Sequence, residues 1–184
     1  MSQPPLDLDV RRRIYGRIRE DPGLHLRELS RALDVPLSTL RHHLDVLEEA
    51  DVVTVESEGT FKRYFPAEDL SEGDKSLLSV LRREKPRAIL LDLLAHGGEA
   101  RYGELEDSLG YPASTLGMYL KELRERGLVD RQPVGRTSVY RVVDERRLHR
   151  LLVTYEESFY DAWVDRVLEI VEEINSKEEE PDDE

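Results

Sequence analysis

The side chains best equipped for chemistry stand in one short run, Ser38-Thr39-Leu40-Arg41-His42-His43. Hydroxyls, a guanidinium and imidazoles can donate directed hydrogen bonds, and the guanidinium is a rigid fork that grips paired acceptors. Covalent chemistry would need more. No Gly-rich phosphate loop, nucleophile motif or metal-ligand spacing accompanies these residues, and the chain has no cysteine. Adjacent helical residues point about 100° apart, so His42 and His43 make a poor chelate. The run predicts recognition and no enzyme, with no cofactor and no metal.

A second run keeps the frame and changes the chemistry. VPLSTLRHHLDVLEEADVV at 35–53 and YPASTLGMYLKELRERGLV at 111–129 share a proline, Ser-Thr-Leu and the later leucines. A shift of 76 superimposes residues 10–69 on 86–145 without a gap, with 14 identities in 60 positions. Among the identities are Glu28/Glu104, Leu29/Leu105, Leu33/Leu109, Pro36/Pro112, Gly59/Gly135 and Tyr64/Tyr140. The non-core positions Ser38, Thr39, Arg41, His42 and Asp45 correspond to Ser114, Thr115, Gly117, Met118 and Lys121. Glycine and methionine stand where the first copy has arginine and histidine. Two copies make a tandem pair and not a solenoid.

The elements that must carry these residues follow from periodicity. Val10, Ile14 and Ile18, or Ile89, Leu90, Leu93 and Leu94, form a helical stripe over about 9–20 and 86–95. Asp21-Pro22-Gly23 and His96-Gly97-Gly98 stop it. A second helix carries Leu29 and Leu33, or Leu105 and Leu109. After a tight turn, a proline opens the third helix, where its missing N–H costs nothing. Leu37, Leu40, Leu44 and Leu47 then predict a continuous buried stripe. Val52–Val55 with Phe61–Phe65, and Leu128–Arg131 with Ser138–Val142, predict hairpins around Gly59 and Gly135.

Three helices and a hairpin make a winged helix-turn-helix. STLRHHLDVLEEADVV resembles the third helix and first wing strand of ArsR/MarR-type regulators. The doubled arrangement is similar to the tandem winged-helix regulators common in archaea, over about residues 9–145. The implied fold is mainly α with small β-wings (α+β). Its parts are an N-terminal winged helix at 1–68, a helical connector at 69–85 and a second winged helix at 86–143. A long C-terminal helix at 144–175 and an acidic disordered tail at 176–184 complete it.

The resemblance implies that the third helix lies in the major groove of double-stranded DNA. Arg41 can then bond guanine O6 and N7, while Ser38, Thr39 and His42 reach bases or phosphate. Ser114, Thr115 and Lys121 are the second copy's equivalents. From the wings, Lys62 and Arg63 stand in the first copy beside the acids Glu56 and Glu58, which repel phosphate; Arg131 and Arg136 make the second a better clamp. Plainer readings stay open. The Ser-Thr pairs could cap their helices, and Arg41 could pair with Asp45 one turn on.

Outside the copies, Ser71 with Asp74 three residues later predicts a capped helix start, and Leu77, Leu78, Val80 and Leu81 give it an apolar side. From 144 to 175 the chain lacks Gly and Pro. Leu148, Leu152, Tyr155, Phe159, Trp163, Val167, Ile170 and Ile174 recur at steps of three and four. Such a face needs a partner, either a second copy in a homodimer or the chain's own domains. We expect the dimer, because helix-turn-helix operators usually present two half-sites.

The formal charge of −13 counts against nucleic acid until it is mapped. Residues 10–66 carry ten basic and ten acidic side chains, and 86–142 carry eight of each, whereas 143–184 carry five and fifteen. Both repeated units are neutral, and a neutral module can still present a basic face. Absent cysteines, no visible secretory signal and no long apolar run predict a cytoplasmic protein with no membrane contact. The sequence is silent on any small-molecule effector. The competing reading is an acidic tandem winged-helix scaffold for partner proteins, with little direct DNA binding.

Overall fold

The computed structural model of the chain describes residues 5–159, apart from positions 60 and 69. It divides into two units, Met1–Arg82 and Arg83–Glu184. In the first, α1 (Pro5–Glu20), β1 (Leu24–His25), α2 (Leu26–Leu33), α3 (Leu37–Glu49), β2 (Val53–Glu58), β3 (Phe61–Pro66) and α4 (Glu72–Leu81) succeed one another. The second has α5 (Glu84–Ala95), β4 (Glu99–Arg101), α6 (Tyr102–Leu109), α7 (Ala113–Glu125), β5 (Val129–Val134), β6 (Thr137–Val142) and α8 (Glu145–Thr154), closed by a 3-10 turn at Glu156–Phe159.

The first core gathers Ile14 and Ile18 of α1, Leu29 of α2, and Leu40, Leu44 and Leu47 of α3 under Val53 and Tyr64 of the sheet. The second buries Ile89, Leu90 and Leu93, then Leu105, then Leu116, Leu120 and Leu123, with Val129 and Tyr140. These are the apolar positions the helical spacing picks out. Full burial of each leucine is worth about 1.5–3 kcal/mol, so the shared spacing fixes both folds.

The repeat holds to the residue. α2 and α6, α3 and α7, β2 and β5, and β3 and β6 begin and end 76 positions apart. Both sheets are antiparallel, with orders β1-β3-β2 and β4-β6-β5. Tyr64 faces Leu24 and Val55, as Tyr140 faces Ala100 and Arg131. Turn geometry matches where residue types do not. Asp34 and Gly110 both adopt the left-handed conformation (φ 53° and 62°), as do Asp51 and Gly127 (φ 53° and 68°).

Several expectations need correction. Leu37 is 42% exposed: as the first residue of α3 it falls at the edge of the buried arc, with no helix before it. Each hairpin gains a third short strand, β1 or β4, too brief for alternation to reveal. The connector helix α4 belongs with the first unit. Its start is the predicted cap, the Ser71 Oγ accepting from the Asp74 N–H at 3.2 Å and the Asp74 carboxylate from the Ser71 N–H at 3.2 Å. α8 stops at Thr154 instead of running on, and its Leu148 and Leu152, with Phe159, are buried within this chain. Tyr155 caps that helix end. Trp163, Val167, Ile170 and the acidic tail lie outside the described residues.

Candidate nucleic-acid interface

The arc of α3 opposite the core displays Ser38, Thr39, Arg41, His42 and Asp45, all exposed. Pro36 occupies the N-cap, and no side chain closes the first turn; α7 after Pro112 is the same. The Ser-Thr pairs therefore do not cap their own helices. The Arg41–Asp45 pairing does not form either, since Arg41 has no hydrogen bond or ion pair among the described residues. Its charge is felt beneath it. Burial, then the carboxylates of Asp45 and Glu48, hold the Tyr64 phenol above its ordinary pKa, and Arg41 pulls it part of the way back.

The two histidines part company. His42 points outward, whereas His43 is buried, and its Nδ1 accepts from the Nε of Arg11 on α1 at 3.4 Å. The 100° step that spoils them as a chelate lets one display and the other pack. Among the described residues no group of three His, Asp or Glu is placed to hold a metal ion.

The first wing differs from expectation. Lys62 is exposed, but Arg63 is 6% exposed, and its Nη1 donates to the Gly23 carbonyl at 2.9 Å. Neighbouring strand residues point to opposite faces, so only one of the pair can look outward. Arg63 ties β3 to the turn before β1 and is not a phosphate contact. Glu56 is half-buried and accepts from the Ser79 hydroxyl of α4 at 3.2 Å, so it is not a free acid on the wing. Phe61, 56% exposed, stacks on the His25 ring at 5.8 Å. His25 is in turn the N-cap of α2, its Nδ1 accepting from the Glu28 N–H at 3.3 Å. That wing aromatic and the inward Arg63 escaped the sequence reading, because both depend on pairings across the sheet.

In the second module Ser114 and Lys121 are exposed and Thr115 is half-buried. Lys121 lies 3.7 Å from Glu125 in solvent, a pairing of little strength. Met118 is 55% exposed. On the wing, the Arg131 Nε donates to the Ser138 hydroxyl at 2.9 Å across the hairpin, which stiffens it. Arg136 comes directly after Gly135 (φ 62°) at the tip and is exposed. Behind α7, the two terminal guanidinium nitrogens of Arg83, Nη1 and Nη2, donate to the Glu122 carboxylate, which also lies 3.2 Å from Arg126. This bidentate bond fixes the start of α5 to the C-terminal half of the helix.

Comparison with known proteins agrees with this architecture. Residues 6–56 match a helix-turn-helix domain, and residues 84–131 match the helix-turn-helix described as bacterial regulatory protein, arsR family. The chain carries two helix-turn-helix domains in tandem. The arsR-type match falls on the second module, although the first carries the run that suggested it. An uncharacterized HTH-type transcriptional regulator of Methanocaldococcus jannaschii is 36% identical over 132 residues, which are 72% of this chain and 33% of that one. An uncharacterized protein of Pyrococcus abyssi is 31% identical over 65 residues, 35% of this chain and 20% of its own. The chain thus spans a third or less of these relatives. The crystal structure of the endosomal complex ESCRT-II (VPS22/VPS25/VPS36) aligns with 74% of this chain and 62% of its own at 18% identity and a TM-score of 0.32, too low to carry any argument.

Proposed function

We propose that the chain is a sequence-specific, DNA-binding transcriptional regulator that uses both winged helices, with the first as base reader and the second gripping the backbone. The observation that carries the reading is the display on α3. Arg41 and His42 extend from an uncapped helix start with exposed Ser38 and Thr39, and no hydrogen bond or ion pair to a described residue holds Arg41. The regulator named among the relatives supports it. The competing scaffold reading rests on the acidic first wing, where Glu56, held by the Ser79 hydroxyl, keeps its charge. A regulator of this kind acts in the compartment that holds the chromosome. For a cell without a nucleus that is the cytoplasm. No helix among the described residues is long and apolar enough to cross a membrane.

We further propose a homodimer built on the later part of the C-terminal stripe, Trp163, Val167 and Ile170. The earlier part, Leu148, Leu152 and Phe159, is already buried in the chain, and that half of the stripe packs intramolecularly. The test of DNA binding is a salt titration on genomic duplexes enriched by the full chain. Affinity should fall linearly on log axes, by about 0.9 per neutralised phosphate. Failure to hold any duplex at low salt would remove the reading.

A further inference from the structure

Gly117 lies mid-helix in α7 at the position of Arg41, and nothing inside the molecule calls for a glycine there. A Cβ built on it meets no atom within 4 Å, and its φ is not among the positive values that favour glycine. Gly110, Gly127 and Gly135 differ in having φ of 62°, 68° and 62°. Glycine inside a helix is destabilising relative to alanine, because it gives up more backbone freedom. Gly16 of α1 and Gly103 of α6 also meet nothing, but neither stands on the third helix of a module. On the third helix of a module, where a ligand would dock, a glycine that serves no internal contact leaves room for something outside to come close to the backbone.

The neighbouring residue indicates what comes close. Met118 is 55% exposed and sits at the place of His42, with exposed Ser114 one turn before it and exposed Lys121 one turn after. It is the one large apolar side chain that α7 exposes. A protein interface needs a contiguous patch and on the order of 1,000 Å² of contact. A single thioether among a hydroxyl and an ammonium suits a single apolar group in polar surroundings. The major groove offers one such group, the C5 methyl of thymine. We infer that Gly117 and Met118 make α7 a thymine reader. The bare backbone at Gly117 lets the helix sit deep in the groove, and Met118 packs on the methyl. Beside the backbone grip of its wing, the second module then contributes a sequence preference of its own without a long hydrogen-bonding side chain.

This inference rests on the DNA-binding reading, and its test separates the two. The full chain selects a duplex from a randomised pool, and that duplex is then made with deoxyuridine in place of thymine, one position at a time. Loss of one buried methyl corresponds to about a fourfold drop in affinity. For the wild type, one thymine in the second module's half of the site should show that drop. Met118→Ala should bind the thymine duplex about fourfold more weakly and the deoxyuridine duplex no worse than the wild type does. Gly117→Ala should raise the melting temperature of the free protein yet weaken binding, opposite signs that a purely structural glycine would not give. A Met118→Ala protein that keeps the wild-type ratio between the two duplexes overturns the inference and leaves DNA binding standing. So does a Gly117→Ala protein that melts higher with unchanged affinity. If the wild type enriches no duplex, both readings fall together.

Discussion

At position 41 a guanidinium stands clear of the helix; at position 117, its counterpart, there is only backbone. One residue on, the imidazole of His42 is matched by the thioether of Met118. Yet Leu40, Leu44 and Leu47 beneath the first pair, and Leu116, Leu120 and Leu123 beneath the second, are the same residues in the same burial. The divide tracks exposure. Replacing a buried leucine by alanine costs about 2–5 kcal/mol, whereas exposed substitutions usually stay within about 0.5 kcal/mol. The frame is held by packing, and the display above it is free to specialise.

The wings give the sharpest break between the modules. Arg63 is buried on the Gly23 carbonyl, while the equivalent strand position is Val139. Arg63→Val should destabilise the first unit by about 1.5–3 kcal/mol, since a charge-assisted bond is lost and a buried carbonyl is orphaned. Denaturant unfolding measures this, and the affinity of the folded protein for DNA should hold. An unchanged midpoint with weakened DNA binding would return Arg63 to the role of phosphate contact.

The second break concerns the bases and phosphates each module reads. Arg41→Ala should cost about 1–3 kcal/mol of DNA affinity, concentrated at one base pair. Arg136→Ala, at the tip of the second wing, should weaken all sequences alike and lower the salt slope by about 0.9. Binding profiles over singly substituted duplexes distinguish the two patterns. Uniform losses from both variants would make the first module a backbone binder too.

The third break lies in the segment C-terminal to each module. Only the second runs into α8 and the stripe beyond it. Tyr155 ends α8 and Phe159 is buried, so the dimer expectation now rests on Trp163 and its neighbours. Trp163→Ala should weaken association by about 2 kcal/mol, the usual effect of truncating an aromatic anchor. Sedimentation of both proteins, with circular dichroism as the folding control, gives the result. A monomeric wild type assigns the whole stripe to intramolecular packing.

The features legible in the sequence and those hidden from it divide along similar lines. Leucines at three- and four-residue spacing are a local record of burial, so the helices and the offset of 76 could be read directly. Non-core positions of α3 and α7 came from the same stripes by subtraction. Arg63 could not be read this way, because its partner is 40 residues distant and becomes reachable only when β1 joins the sheet. Glu56 with Ser79 is another such case, spanning 23 residues. Leu37 misled because a stripe says nothing of where its first member runs out of neighbours. The end of α8 was hidden for another reason: neither Gly nor Pro occurs between 144 and 175, and the apolar steps continue across Tyr155.

The smallest expected effects test whether the frame is a matter of conformation or of residue type. At the turn after the third helix, Asp51 and Gly127 share a left-handed backbone, with φ of 53° and 68°. A Cβ in that region costs roughly 1–2 kcal/mol, less for Asp and Asn, whose short polar side chains bond locally. Glycine escapes the strain but gives back roughly 0.4–1 kcal/mol through a freer unfolded chain. For Asp51→Gly and Gly127→Asp these terms nearly cancel, so each should move stability by no more than about 0.5 kcal/mol. Alanine has the Cβ and lacks the polar tip. Asp51→Ala and Gly127→Ala should therefore each cost about 1 kcal/mol. Thermal melts of the four variants give the pattern: two near zero and two lowered alike. If Asp51→Gly falls as far as Asp51→Ala, the Asp51 carboxylate holds that turn, and the modules differ there in mechanism as well as in residue.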